Sequence, residues 1–221
     1  MAILTTVTTT VAFAIAITTL PVSGPFCLSD CVTYPYETVA DRVPRDFLWM
    51  YPALLMPPIV VMLMICIHHA AAEKQKLFSQ IGVIFAAIYA AVIAVNYYMQ
   101  IAVVQPSLLR GEFEGLALIS QYNPHGLFIA LEDLAYLLLG LAFLFMAPVF
   151  IGKGGLARVL RWLFRISAFL VLGGFILYHL IYGHNLEYHF EVFVIAVDWM
   201  TLIVAGVLLA LWFRRAAAPA A

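Results

Sequence analysis

The chain has 221 residues, 65% of them hydrophobic and only 10% charged, with a formal net charge of −1 and a mean hydropathy of +1.03. Soluble domains carry about 25% charged residues, so this composition excludes a water-soluble globule and makes lipid the solvent. With no long basic tract to neutralise phosphates, nucleic acid is excluded as a partner, and the length leaves no room for a soluble domain beside the apolar segments.

A bilayer core about 30 Å thick takes about 20 apolar residues per helix, and six segments meet that requirement. The first, residues 2–20, is rich in threonines (Thr5, Thr6, Thr8, Thr9, Thr10, Thr18, Thr19) whose hydroxyls bond back to helix carbonyls. A cleaved signal peptide is the rival reading, weakened because no Lys or Arg precedes the apolar stretch. A polar loop, 21–45, holds Cys27 and Cys31. Their CxxxC spacing suits a structural disulfide on an oxidising side and is not the CxxC redox motif.

The second segment, 46–69, opens on Trp49 and Tyr51, as in an interfacial aromatic belt. Its Pro57 and Pro58 predict a kinked or broken helix, because each removes a backbone donor and crowds the preceding turn. The third runs over 81–104, stopped by Gln105-Pro106. The fourth, 124–151, has Asn123 as N-cap and Pro124 at its first position. The fifth and sixth cover 163–183 and 190–213. The expected fold is all-α: one transmembrane domain over 1–221, six helices in a compact bundle.

Basic residues set the orientation. Lys74, Lys76, Lys153, Arg158, Arg161, Arg165, Arg214 and Arg215 fall in two connections and the tail on one side; Arg42, Arg45 and Arg110 are the only basic residues opposite. The first side is expected to be cytoplasmic, with both termini there. The segment KGGLARVLRWLFR carries Arg158, Arg161 and Arg165, which suit contact with anionic lipid heads at the membrane surface.

Charge inside a bilayer costs about 2.5–3.5 kcal/mol at a helix centre even on lenient scales, yet Glu132, Asp133, His179 and Asp198 all lie inside apolar segments. Counted at about 1.5 Å per residue, they fall with Asn96 and Gln100 in one layer, roughly 6–13 Å below the outer surface of the hydrocarbon core. Asn96 and Gln100 share a helix face, as do Glu132 and Tyr136. Adjacent Glu132 and Asp133 cannot point at one spot; Glu132 is expected to face inward and Asp133 to pair with a neighbouring helix. The expected object is a polar pocket open to the outer leaflet.

Glu132 and Asp198 are the candidate acid and base, with His179 relaying a proton. Asn96 and Gln100 would orient a polar head, and Tyr97, Tyr136, Tyr178 and Trp199, with Asp133, would complete the ligand-binding wall. No metal or other cofactor is predicted: His179, His184 and His189 are spaced by five, which aligns no helical face and matches no recognised ligand spacing. No Walker motif, nucleophile elbow, zinc-protease motif or Rossmann fingerprint is present. Three functions stay open: binding, with or without acid–base transformation, of a lipid-like or amphiphilic small molecule; an accessory subunit of a larger membrane complex, with the polar layer as interhelical glue; and a proton-coupled transporter. The almost wholly apolar stretches Leu137 to Phe145 and Ile203 to Leu211 argue against a through-going polar path. An outer loop, 105–122, is expected to form a short helix acting as lid or interfacial anchor.

Overall fold

Five helices long and apolar enough to cross a membrane dominate the computed structural model, which describes residues 1–19 and 21–217 and has no strand among them. They run over Arg45–His69, Glu73–Arg110, Leu127–Phe150, Gly154–Asn185 and Glu187–Ala216. A sixth apolar helix, α1 (Ala2–Ala16), has 15 residues, about 22 Å at 1.5 Å per residue. It is shorter than the expected 2–20 because threonine competes for its last carbonyls: the Thr18 and Thr19 hydroxyls both donate to Ile15 O, at 2.7 and 3.4 Å. Leu20 lies outside the described residues.

Prolines mislead as helix breakers here. α2 (Met50–His69) is continuous through Pro57 and Pro58, so the anticipated break is absent. Neighbouring helices on both sides hold a buried segment helical even where a backbone donor is missing. α3 (Glu73–Met99) begins a full two turns before the expected 81, and it does not stop at Gln105-Pro106. A π-helical turn, Gln100–Val104, leads into α4 (Gln105–Arg110). The wider turn makes room for the Pro106 ring, whose missing N–H would otherwise end the helix.

After a four-residue helix, α5 (Leu116–Ile119), the chain turns into α6 (Leu127–Met146). The sequence predicts Asn123 as its N-cap, but the N-cap is Gly126. The Asn123 side chain is spent one turn earlier, Oδ1 accepting from His125 N–H (2.9 Å) and Nδ2 donating to Ala117 O (2.9 Å). α7 (Gly154–Tyr182) takes in the whole KGGLARVLRWLFR segment from Gly154 on as its first turns rather than as a separate surface helix, and α8 spans Glu187–Ala217.

The helices close into a ring, α1–α2–α3–α6–α7–α8, with α6 also touching α8 across the interior. Small residues set the closest approaches, as is usual where lipid supplies no hydrophobic drive between helices. A Cβ on Gly206 of α8 would collide with Thr6 Oγ1 and lie 2.7 Å from Ala2 O. Thr6 Oγ1 donates to Ile203 O at 3.1 Å, binding α1 to α8 in the same place. Gly174 of α7 likewise admits the Phe193 ring.

The two ends of the bundle differ. At one, Lys153 donates to Ala70 O and sits 5.5 Å from the Trp212 ring centroid; burial holds its ammonium below the usual lysine range. At the other, the chain from Pro21 to Trp49 folds over the helix ends. Cys27 and Cys31 are joined there as a disulfide, Cα atoms 5.8 Å apart. Ser23 ties this loop down, donating to Tyr122 O (2.6 Å) and meeting Tyr188 Oη (2.9 Å).

Candidate functional site

Beneath that loop, α3, α6 and α8 bring four of the sequence-predicted residues together. Glu132, Tyr97, Tyr136 and Trp199 are all buried. Tyr97 Oη donates to Glu132 Oε1 at 2.7 Å and meets Tyr136 Oη at 2.9 Å; Trp199 Nε1 donates to Tyr136 Oη at 2.8 Å. Glu132 and Tyr136 come from one face of α6, four residues apart, as the helical period requires. Tyr89 adds its ring, 5.7 Å from that of Tyr136.

A residue the sequence reading missed completes the cluster. The carboxyl of Glu191, on α8, lies beside that of Glu132. Glu132 Oε2 is buried and has no hydrogen-bond partner among the described residues, because two carboxylates offer each other no donor. The sequence assigns the last helix to 190–213, which puts Glu191 at headgroup level. The helix starts at Glu187, so Glu191 lies a turn inside. The usable signal was the stripe Tyr188, Glu191, Val192, Ile195, Ala196, Trp199, which keeps helical spacing toward one face.

That stripe forms one wall of a cavity of about 500 Å³, within the size range of ligand pockets. The other walls are Phe13, Ala16 and Ile17 from the end of α1; Thr19, Val22, Ser23 and Phe26 from the loop; Asp46 and Trp49 before α2; and Gln121 and Tyr122 before α6. Trp49 packs edge-on against Tyr97 (5.2 Å between centroids) and 6.2 Å from Trp199. The two indoles thus stand between the cavity and the Tyr97–Glu132–Tyr136 cluster, and Glu191 reaches both sides. Asp46 is held by Tyr122 Oη, which donates at 3.2 Å, and by Arg42 at 3.9 Å. Burial, and then the Asp46 carboxyl, push the Tyr122 phenol well above the usual tyrosine range, so it stays a donor at any ordinary pH.

Other predicted site residues lie elsewhere. Asn96 Nδ2 donates to Phe128 O (2.9 Å). Gln100 clamps the turn after α5, donating to Ile119 O (2.6 Å) and accepting from Gln121 N–H (3.2 Å). Both are buried and neither lines the cavity. The reason is that the backbone turns at 119–128 need partners, and amides supply them locally. Asp198 is buried and points to α7, accepting from Ser167 Oγ at 3.4 Å; next to Trp199 in sequence, it faces about 100° away. Asp133 is half-buried, and its buried Oδ1 has no hydrogen-bond partner among the described residues, so the expected pairing with a neighbouring helix is not seen there.

His179 is exposed and bonded to its own helix at Phe175 O (2.8 Å), so it relays nothing to Glu132. Tyr178 stacks on Tyr182 and Phe193 (5.8 and 5.3 Å) outside the cavity. Among the described residues no group of three or more His, Cys, Asp or Glu side chains converges as a metal-holding set. Compared with protein-family models, with curated proteins and with solved structures, the chain matches none.

Proposed function

We propose that this chain is an integral membrane protein whose pocket, between α1, the start of α2 and α8, binds a lipid-like or amphiphilic small molecule from the outer leaflet. The bundle crosses six times in this reading, α1 included, with both termini cytoplasmic by the asymmetry of the basic residues. A local thinning of the bilayer accommodates the short α1 at modest cost. Arg158, exposed at the start of α7, with Arg161 and Arg165, then meets anionic heads on the cytoplasmic side.

The observation that carries the reading is a cavity of about 500 Å³, mostly apolar, with Glu191 in its wall beside the buried Glu132. An apolar body with a few convergent polar groups is what an amphiphile requires. Glu191 is the group placed to touch a ligand; Glu132 behind it, bonded to Tyr97 and so to Tyr136, is placed to give or take the proton. Any acid–base step therefore runs through Glu191 and Glu132. The bonds of the rest of the layer support an interhelical-glue role for it: Asn96, Gln100 and Asp198 bond to backbone or to Ser167 and do not line the cavity.

Filling the cavity tests the proposal. Ala196 lines it, and Ala196→Phe projects a ring into the space. Native mass spectrometry of the gently purified protein is expected to show a bound amphiphile in the wild type and in Ala196→Ser, and its loss from Ala196→Phe. Identical adducts in all three would sink the pocket as a binding site.

A further inference from the structure

The cavity's charge balance narrows the ligand class. Lining residues include two acids, Asp46 and Glu191, and among the described residues no Lys, Arg or His. Asp46 is already answered by Arg42 and by the Tyr122 hydroxyl. Glu191 is not: the group beside it is another carboxyl, that of Glu132, and no cationic side chain among the described lining residues answers it. Trp49, Trp199, Tyr122 and Tyr188 stand around the same space, and aromatic faces attract a desolvated cation most strongly when they include indole.

Resting on the reading above that the cavity binds an amphiphile, we propose that its headgroup is cationic: an alkylamine or quaternary ammonium, held between Glu191 and the two indoles, with its chain along Phe13 and Val192. Val192 is 50% exposed, so a chain leaving on that side runs into lipid without a desolvated opening to cross. An anionic head would find acids and no cationic side chain among the described lining residues. A neutral head would gain a hydrogen bond but leave Glu191 without a cationic partner.

The test offers the full-length protein, in neutral detergent, equal concentrations of hexadecyltrimethylammonium, hexadecanol and hexadecyl sulfate, with bound species read by native mass spectrometry. The expected result is an ammonium adduct favoured over hexadecanol by tenfold or more, about 1.4 kcal/mol, with the sulfate at background. Glu191→Gln keeps the shape and is expected to bring ammonium and alcohol within about twofold of each other, while Ala196→Phe removes both. Hexadecyl sulfate binding as well as the ammonium, alcohol binding on a par with it, or a preference that survives Glu191→Gln or Ala196→Phe overturns the cationic class. If none of the three binds the wild type, the pocket reading itself falls, an outcome distinct from the loss of selectivity alone.

Discussion

Glu132→Ala is expected to cost the fold about 3 kcal/mol, while Glu132→Gln is expected to cost less than about 1. Hydrogen bonds between transmembrane helices average only about 0.6 kcal/mol, so the lost Tyr97 contact is the minor part. The larger parts are a buried cavity where a side chain of zero exposure stood, and a Glu191 carboxyl left without its neighbour. Unsatisfied buried groups cost about 1–3 kcal/mol, and large-to-small changes add the unfilled volume. Glutamine avoids both losses. Its carbonyl accepts from Tyr97 as Oε1 does now, and its amide offers the adjacent Glu191 carboxyl a donor. Unfolding in mixed micelles with increasing denaturing detergent measures the difference. Equal losses in the two variants would mean that Glu132 and Glu191 do not lie side by side as described.

The second large effect lies at the opposite end of α1 from the cavity. Gly206→Val is expected to destabilise by about 3 kcal/mol, the upper end of overpacking costs, and to abolish amphiphile binding as well. A Cβ there meets Ala2 O at 2.7 Å and Thr6 N at 3.2 Å; these are backbone atoms, which cannot rotate aside as a side chain can. Only a shift of α1 relieves the clash, and it breaks the Thr6–Ile203 bond. Because Phe13, Ala16 and Ile17 carry one wall of the cavity, moving α1 opens the pocket. Gly174→Ala, by contrast, meets the Phe193 ring, a side chain that does not line the cavity, and should leave binding intact. A wild-type melting temperature in Gly206→Val would contradict the close α1–α8 packing.

These two sites also mark where sequence reasoning succeeds and where it stops. Apolar length located every long helix, because lipid leaves the chain few alternatives to helix. Helical period alone placed Glu132 with Tyr136, and Tyr97 and Trp199 were expected beside them as aromatic lining. Helix ends were less legible. Pro57, Pro58 and Pro106 read as interruptions, yet buried helices absorbed the first two and a π turn the third. A start misplaced by three residues hid Glu191. Direction around a helix was the other gap: His179, Asp198, Asn96 and Gln100 share the expected depth, but only packing decides whether a side chain meets a cavity, a neighbouring helix or its own backbone. The cavity itself could not be read, since it is built by the loop and α1 closing on α8, contacts far apart in sequence.

The most direct measurement is an experimental density map of the protein in lipid nanodiscs, taken without added ligand and with hexadecyltrimethylammonium. Elongated non-protein density is expected in the space between Trp49, Trp199 and Glu191, headed at the Glu191 carboxyl and strengthened by the ammonium. A cavity closed by Phe13, Phe26 and Trp199, with Glu191 turned out to lipid and no density in either map, would contradict it.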